Sequence, residues 1–579
     1  MLKEFRTLLP LLKKYSLFYL FGLLALILTD AGELYIPQLI KRITNIISGG
    51  SFSLEAVGRI VLLMIGVAAL IGFFRFGWRY FIHGASRRIV RDLRERVFKQ
   101  LLILSSDFYQ KMKTGDIMAR SSNDMRAIQM ATGMALVAFV DGFFLSIAIL
   151  AILFTQFPRL AFITIIPLPF ITVIVLAGGK FIGQRFRLVQ EGFSRLSEYV
   201  QESLTGIRVV KSFVKEPWVE EVFNRRNDDN LSRNMHLVRI WGLFFPLMTF
   251  ISGLSLLFLL YFGGQSVMTG EFTPGDFMAF MSYLTMLRWP VMGMGFTVNM
   301  LQRGAASMAR VNEILNEKPR ITSPPGAISD PPAGDLEVRG LDFRYTPDGP
   351  LILQDISFAL PKGSTLGILG RTGSGKSTLV KLLPRLLDPA ENTVFIGEKD
   401  IRRYALPVLR SSIGIVPQDS FLFSATIREN IAFGFPDADE QMVKEAAAIS
   451  TIDRELSVFP HGWDTEVGER GLTLSGGQKQ RVAISRAMLI NPEILIFDDA
   501  LASVDAETEE KILAAFLRTR RDRTNILVAH RVSTLQHADH IIVLENGRIT
   551  HQGSHEELSR SPGLYRDIYR LQQLTGGGK

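Results

Sequence analysis

The sequence predicts a multi-domain membrane protein, in which a six-helix, all-α transmembrane domain precedes an α/β domain. Six apolar runs long enough to cross a bilayer occur before residue 315. A Pro- and Gly-rich stretch follows them, and after it short β-like runs alternate with helical ones. The predicted boundaries are 1–316 for the transmembrane domain, 317–335 for the linker and 336–579 for the α/β domain.

Composition favours a membrane protein and excludes several kinds of site. Apolar residues make up 47% of the 579 residues, and the mean hydropathy of +0.21 is high for a wholly soluble chain. The absence of cysteine excludes disulfides, thiolate metal sites and thiol catalysis. A net charge of +9 is also typical of nucleic-acid-binding proteins. Because cytoplasmic loops of membrane proteins collect Lys and Arg, we expect a lipid bilayer and no nucleic acid as partner.

The spans are predicted from apolar runs and the turn signals between them. Basic and apolar residues mix in 1–14, which we expect to form an amphipathic helix on the membrane surface. The predicted spans are 16–40, 56–84, 128–156, 159–180, 238–267 and 274–301.

The charge of the loops predicts the orientation. The segments 84–126 and 180–239 are long and rich in Arg and Lys, so both of them, both termini and the α/β domain are expected on the cytoplasmic side of the cytoplasmic (inner) membrane. The turn-rich tips of these excursions, 111–124 and 215–224, are expected to contact the α/β domain. The alternative is that each tip is a plain solvated loop.

Ionisable residues inside spans are functional candidates. The acids are Asp30, Glu33 and Asp141, and the basic counterparts are Arg75, Arg79 and Arg288. One interpretation is a wet cavity whose acids accept cationic substrates. The other is that the charges pair between helices or contact lipid headgroups. The methionines of the last span either line a binding wall or simply pack. They are Met278, Met281, Met286, Met292 and Met294.

A phosphate-binding loop lies in the second half. The stretch from Gly370 to Thr378 fits G-x-x-x-x-G-K-[ST], with a strand-like run before it and a helix-like run after it. Such a unit binds phosphates, with Lys376 on the terminal phosphates and Ser377 on Mg²⁺. The loop consists of Gly370, Arg371, Thr372, Gly373, Ser374, Gly375, Lys376, Ser377 and Thr378.

Four further residues follow or end strand-like runs of this domain. The runs are 336–343 before Tyr345, 413–418 ending at Gln418, 494–498 ending at Asp498 and 525–530 ending at His530. Tyr345 is a candidate for stacking on a base, or for simple packing. Gln418 can reach a metal or a water through its amide, and Asp498 is suited to hold Mg²⁺. His530 ends another buried run, where its ring can touch a γ-phosphate.

A second anion site is predicted at Leu474, Ser475, Gly476, Gly477 and Gln478, which precede a helix. One chain has no second triphosphate to offer this site. We therefore expect it to close on nucleotide held by another copy of the domain.

With these motifs in this order, the second half resembles the nucleotide-binding domain of the ABC transporter family. The whole chain resembles a type I ABC exporter half-transporter of the multidrug or lipid type. The resemblance implies ATP and Mg²⁺ as cofactors and a dimer as the working form. It identifies the A-loop as Tyr345, Walker A as 370–378, the Q-loop as Gln418, the X-loop as 465–470, the signature as 474–478, Walker B as Asp498, the D-loop as 503–505 with Asp505, and the switch histidine as His530.

One position departs from the family pattern. The resemblance implies a catalytic Glu directly after Asp498, and this chain has Asp499 there. The shorter side chain draws the carboxylate back by about 1 Å, and such misplacement costs on the order of 10²-fold in rate. The expected catalytic set is Asp499, His530 and Gln418, with weak hydrolysis. The pattern resembles the degenerate-site subunit of a heterodimeric exporter; the alternative is a homodimer that hydrolyses slowly.

The expected function is ATP-driven export of amphipathic compounds, drugs or lipids. Three alternatives come from other classes. A soluble ATPase acting on nucleic acid does not need six spans, and an importer usually keeps spans and ATPase on separate chains. A non-transporting, ATP-dependent membrane regulator has the same parts, but no appended regulatory segment favours it.

Overall fold

A computed structural model of the chain describes residues 2–49, 54–468, 471 and 473–576. Two compact units are present. The first, the membrane unit, contains Met1–Ile103 and Met112–Glu317. The second, the nucleotide unit, contains Leu104–Lys111 and Lys318–Lys579.

The membrane unit is built from helices, several of them much longer than a bilayer is thick. Short turns of tighter or wider helix at Leu2–Leu8, Arg79–His83, Arg120–Asp124 and Leu259–Gly263 join or precede them. The α-helices are Leu9–Lys14, Ser16–Ser48, Leu54–Trp78, Gly84–Ile103, Thr114–Ala119, Met125–Thr132, Met134–Gln156, Pro158–Ile165, Leu168–Thr205, Ile207–Ser212, Glu216–Phe258, Gly264–Met268, Pro274–Met286 and Arg288–Asn316.

Four of the six predicted spans lie in long, apolar helical segments, and the other two predicted spans are interrupted. Within the described residues, four helical segments are long and apolar enough to cross a membrane, and they cover predicted spans one, two, three and five: Ser16–Ser48, Leu54–Ile103, Thr114–Gln156 and Glu216–Met268. The other two predicted runs are helical but interrupted, since 159–180 is broken at 166–167 and 274–301 is broken at 287.

Local chemistry explains how the last of these runs begins. Thr273 caps the helix Pro274–Met286, because its hydroxyl accepts from the Asp276 N–H while the Asp276 carboxylate accepts from the Thr273 N–H. A Cβ on Gly275 would lie 2.3 Å from the carbonyl oxygen of Lys41, so only glycine at this position allows the helix Ser16–Ser48 to approach the helix Pro274–Met286 this closely.

One segment of the first excursion, Leu104–Lys111, belongs to the nucleotide unit. The helix Ser106–Lys111 lies in this segment. Ser106 Oγ donates to the Leu386 carbonyl at 2.6 Å. Most of the predicted tip, 112–124, and the second tip, 215–224, belong to the membrane unit. Residues 114–124 are helical, and the helix is interrupted at 104–105 and at 112–113. Contact of the two tips with the nucleotide unit stays a prediction.

The predicted linker is held against the nucleotide unit by backbone hydrogen bonds. The Ile328 N–H donates to the Arg403 carbonyl at 2.9 Å, and the Ala405 N–H donates to the Ile328 carbonyl at 3.0 Å. The membrane helix ends at Asn316 and the first strand begins at Leu336.

Two sheets form the frame of the nucleotide unit. The strands are β1 (Leu336–Phe343), β2 (Leu353–Leu360), β3 (Thr365–Gly370), β4 (Val394–Ile396), β5 (Lys399–Asp400), β6 (Ile413–Val416), β7 (Ile494–Asp498), β8 (Thr524–Val528), β9 (His540–Glu545) and β10 (Arg548–Gly553). The smaller sheet is antiparallel, in the order β2-β1-β4-β5. The larger has the order β10-β9-β3-β8-β7-β6 and is parallel except for β10.

The larger sheet brings the predicted motifs together. β3, β7 and β8 are fully buried, as their continuous apolar sequences predict. Because β8 lies between β3 and β7, the loops after all three strands meet at one edge. The α-helices of this unit are Ser106–Lys111, Lys376–Leu382, Leu406–Ser412, Ile427–Ala432, Glu440–Ile449, Gly476–Ile490, Ala506–Thr519, Val532–Leu535, His555–Arg560 and Leu564–Gly576.

Candidate functional site

The phosphate loop leaves β3 through a path that only glycine permits. Gly373 and Gly375 have φ angles of 84° and 103°, in the left-handed region that favours glycine. A Cβ on Gly370 would lie 2.4 Å from the Leu544 carbonyl oxygen. The loop can therefore turn tightly enough to aim its backbone N–H groups at an anion.

Lys376 is buried at the base of this loop. Its Nζ donates to the carbonyl oxygens of Gly370 and Arg371 at 2.7 and 3.0 Å. Burial lowers the pKa of Lys376, and the nearby carboxylates of Asp499 and Asp498 partly offset that effect. The carbonyl groups of the phosphate loop therefore hold the Lys376 ammonium beside the space that a phosphate would occupy.

Ser377 and Asp498 form the candidate metal site. Ser377 Oγ donates to Asp498 Oδ1 at 2.9 Å, and Asp498 is buried. Burial raises the pKa of Asp498, while the bond from Ser377 opposes that rise. One carboxylate, one hydroxyl and the amide of Gln418 fit Mg²⁺, which takes most of its remaining ligands from phosphates and water.

A cavity of about 240 Å³ lies next to a second of about 210 Å³ at this edge of the sheet. The smaller, which we call the nucleotide cavity, is lined by the phosphate loop from Thr372 to Thr378 together with Gln418, Asp498, Asp499 and His530. Asp499 and His530 line both cavities. The structure therefore brings the predicted phosphate, metal and catalytic residues to one place.

Tyr345 lies beside this cavity. Its hydroxyl is 3.0 Å from Thr378 Oγ1, and about half of its side chain is exposed. An exposed ring anchored to the end of the phosphate loop is suited to stack on a base.

Asp499 has an unusual backbone. Its φ is 53°, and its N–H donates to the Val528 carbonyl at 2.9 Å. Asp is among the few non-glycine residues that adopt this conformation readily. The turn after β7 therefore holds the short carboxylate at the boundary of the two cavities.

The signature begins the helix Gly476–Ile490, which we call the signature helix. Ser475 caps it: Ser475 Oγ accepts from the Gln478 N–H at 3.2 Å, and Gln478 Oε1 accepts from the Ser475 N–H at 2.8 Å. A Cβ on Gly477 would lie 2.9 Å from the Ser503 carbonyl oxygen, so the signature packs directly on the D-loop. Ser475 and Gly476 are exposed, and no signature residue lines the nucleotide cavity of its own chain.

Asp505 has a structural role within the chain. It caps the helix Ala506–Thr519, which we call the D-loop helix, by accepting from the Thr508 N–H at 2.9 Å. The capping bond lowers the pKa of Asp505.

Sequence reasoning missed Gln480 and Glu455, which support the signature. Buried Gln480 accepts from the Ser503 N–H at 3.0 Å, and its amide nitrogen lies 3.5 Å from the Gln418 carbonyl. Glu455 accepts from Gln478 at 2.7 Å and pairs with Arg481. A Gln two residues beyond a signature motif was the available signal for Gln480, whereas nothing local marked Glu455.

Residues that sequence reasoning missed also hold the segment 529–531 after β8, which carries His530 and which we call the switch loop. Gln572 lies on the last helix, Leu564–Gly576, which we call the C-terminal helix. Its Nε2 donates to the His530 carbonyl at 3.0 Å, and its Oε1 accepts from the Val532 N–H at 2.8 Å. Between these two contacts, Arg531 pairs with buried Glu509 of the D-loop helix.

A large cavity of about 780 Å³ lies within the membrane unit, and we call it the membrane cavity. Asp30, Glu33, Asp141, Arg75, Arg79 and Arg303 supply its charged lining. Arg75 pairs with Glu33, as the pairing interpretation predicts for that residue. Met286 lines the cavity, whereas the side chains of Arg288, Met292 and Met294 lie outside the described part of the structure.

Only part of the predicted X-loop is described. Thr465 to Gly468 are described, and Glu466 forms a bridge with Thr426, whereas Glu469 and Arg470 lie outside the described residues.

Comparison with known families agrees with the two units. The model of the ABC transporter transmembrane region matches residues 19–291, and the ABC transporter model matches residues 353–502. A solved bacterial Atm1-family ABC exporter with ATP bound has a TM-score of 0.78 and 28% identity, covering 97% of this chain and 98% of that one.

Curated relatives align over most of their lengths. A probable multidrug resistance ABC transporter ATP-binding/permease protein of Bacillus subtilis, YheI, is 37% identical, covering 97% of this chain and 96% of its own length. The multidrug resistance-like ATP-binding protein MdlA of Escherichia coli is 35% identical, covering 96% and 94%. An ATP-dependent lipid A-core flippase of Syntrophus aciditrophicus is 35% identical, covering 84% and 81%. The chain therefore belongs to the ABC transporter family, as a multi-pass membrane ATPase with the type I ABC exporter fold.

Proposed function

We propose that this chain is one half of a dimeric exporter that moves amphipathic compounds, drugs or lipids across the cytoplasmic membrane. The observation that carries the proposal is the membrane cavity, a space of about 780 Å³ with charged groups inside the membrane unit of an ATPase. Charged groups within spans are costly and usually mark a pathway. The printed functions of the relatives, multidrug resistance and lipid A-core flipping, support the same class.

The proposed nucleotide chemistry uses the residues of the nucleotide cavity. Lys376 neutralises the terminal phosphates, and Tyr345 stacks on the base. Mg²⁺, held by Ser377, Asp498 and Gln418, would supply charge neutralisation on the phosphates. His530 contacts the γ-phosphate region from the switch loop. The nucleotide unit works on the cytoplasmic side, with both termini.

We further propose a heterodimer in which this chain forms the slow site. Its phosphate loop and Asp498 bind ATP, but Asp499 places a carboxylate too far from the attacking water. Its signature, Leu474 to Gln478, completes the site of a partner that carries Glu after its own Walker B aspartate. The exposed Ser475 and Gly476 support this assignment, because they are free of contacts with the nucleotide cavity of their own chain. A slow homodimer or lipid flippase is the alternative.

Transport can be tested in inverted membrane vesicles that contain the chain and its partner. We expect ATP-dependent accumulation of at least one member of a panel of neutral, cationic and anionic fluorescent amphiphiles and a labelled phospholipid. Lys376→Ala in this chain should reduce accumulation strongly, because it removes the phosphate contact. Lys399→Ala, which changes an exposed lysine of β5 that does not line the nucleotide cavity, is the control.

If ATP hydrolysis continues and no panel member accumulates, export is contradicted in favour of a non-transporting ATPase. If the chain purified alone accumulates substrate at the rate of the pair, the homodimer replaces the heterodimer.

A further inference from the structure

The charges of the membrane cavity are not equally satisfied. Glu33 of the first span pairs with Arg75 of the second. The guanidinium of Arg79 stacks on the ring of Trp78, 5.4 Å from its centre. Asp30 differs from Glu33 and Arg79. Only 1% of this residue is exposed, and its Oδ2 has no hydrogen-bond partner among the described residues.

The neighbour of Asp30 is another carboxyl group. Asp141, from the third span, lies within hydrogen-bonding reach of Asp30, and both residues line the membrane cavity. Among the described residues, the other charged groups that line this cavity are Glu33, Arg75, Arg79 and Arg303. Arg75, which acts on both acids, is already paired with Glu33.

A buried carboxyl group and a half-buried one within hydrogen-bonding reach of it do not both stay ionised readily without a positive charge beside them. Either one proton is shared by the pair or a cation lies against it. The remaining lining suits an apolar body beside such a cation, since Leu26, Val137, Leu145 and Phe296 face the same space. An anion would meet the unpartnered carboxylate and be repelled.

We propose that Asp30 and Asp141 form a cation site that exchanges one shared proton for the cationic group of an amphipathic substrate. In the empty cavity the pair holds one proton. When an ammonium or phosphonium group enters, both carboxylates are ionised and that proton passes to water, so one positive charge replaces another. This inference rests on the proposed export function and names the substrate class of that cavity.

The experiment uses the full-length chain in lipid nanodiscs, without ATP. Tetraphenylphosphonium is the cationic probe and tetraphenylborate is the anionic probe of the same shape. Calorimetric titration in two buffers of different ionisation enthalpy gives both the affinity and the number of protons released. We expect one proton released per phosphonium bound, and an affinity that rises about tenfold per pH unit while the pair holds its proton. Tetraphenylborate should bind more weakly.

Single and double variants separate a shared proton from a simple charge. Asp30→Asn and Asp141→Asn each leave one ionised carboxylate, so each should bind phosphonium without releasing a proton. The double variant should lose about ten- to a hundredfold in affinity. Because the single variants retain binding, they also show that the cavity still folds. Glu55→Gln, an exposed acid outside the cavity, should behave as wild type.

Three results would overturn the proposal. The first is that the wild type binds phosphonium without releasing a proton, and the second is that the double variant binds it with unchanged affinity. The third is tighter binding of tetraphenylborate than of tetraphenylphosphonium, which would assign the cavity to anions through Arg79 and Arg303. Failure of export is distinguishable from these results. Vesicles that accumulate only neutral amphiphiles preserve export and contradict the cation site. Proton-coupled phosphonium binding without ATP-driven accumulation of any compound preserves the site and contradicts export.

Discussion

At the scale of single residues, Asp499 combines a short side chain with a left-handed backbone. Its φ of 53° is fixed by the bond from its N–H to Val528. Asp tolerates this conformation better than Glu, for which a left-handed backbone costs about 1–2 kcal/mol. Asp499 therefore suits the turn, and in the proposed slow site its short side chain stops short of the attacking water.

Asp499→Glu should raise the steady-state ATPase rate of the purified chain, by up to about 10²-fold, because the carboxylate reaches further toward the attacking water. The same change should lower the thermal unfolding midpoint slightly, because of the backbone strain. Phosphate release and calorimetric unfolding measure the two effects. Asp499→Asn, which neither extends nor ionises, should stay at or below the wild-type rate. A fast unpartnered wild type would contradict the assignment of a slow site.

At the scale of elements, the switch loop is held between two helices. The C-terminal helix contacts both sides of Arg531 through Gln572, and the D-loop helix binds Arg531 through Glu509. Because one amide bonds to the His530 carbonyl and the Val532 N–H, movement of the C-terminal helix is expected to move the switch histidine.

Gln572→Ala should therefore misplace His530 and lower kcat about tenfold, with KM for ATP almost unchanged because the phosphate loop is untouched. The measurement is best made in the Asp499→Glu chain, where turnover is faster. Gln572→Glu keeps the acceptor for Val532 and loses the donor to His530, so we expect an intermediate rate. Gln573→Ala, exposed on the same helix, is the control. Equal rates for the Gln572 and Gln573 variants would show that the contact does not position the histidine.

The elements also show what sequence could and could not predict. The strands at 336–343 and 494–498 were predicted with their observed bounds. The strand 494–498 is a short, fully buried apolar run with clear ends, and in the partly exposed strand 336–343 apolar residues recur between polar ones. Gln480, Glu455 and Gln572 were not predicted, since each acts through contacts with distant residues; only Gln480 had a local signal, its position two residues beyond the signature motif. The assignment of Leu104–Lys111 to the nucleotide unit was not predicted either, because it depends on contacts with distant residues such as Leu386.

At the scale of the whole molecule, the proposed heterodimer assigns two unequal roles to this chain. Its phosphate loop retains ATP, whereas its signature serves the faster site of the partner. The signature should therefore matter more to the turnover of the pair than Asp499 does. The cap at Ser475 allows this to be tested without unfolding the signature helix, because Asp and Asn are as good helix caps as Ser.

Ser475→Asp should keep the helix and nearly abolish ATP hydrolysis by the heterodimer, because it places a negative charge where the partner's phosphate would bind. Ser475→Asn, a neutral cap, should lose much less activity. Asp499→Asn should change the rate of the pair little. Phosphate release by the purified pair, with unfolding midpoints for each variant, measures all three. If Asp499→Asn stops the pair while Ser475→Asp does not, the roles of the two sites are reversed.

The docking segment Leu104–Lys111 has a consequence for how this protein can be divided. Ser105 Oγ accepts from the N–H groups of Arg320 and Ile321, and Ser106 donates to the Leu386 carbonyl. Asp107 lies 3.2 Å from the Arg320 guanidinium. In a recombinant fragment that starts at residue 318, the Arg320 and Ile321 N–H groups, the Arg320 guanidinium and the Leu386 carbonyl would lose these partners and be exposed to water. Chimaeras that exchange nucleotide domains between relatives would need to carry eight residues from the first half of the sequence, because the compact nucleotide unit is discontinuous in the chain.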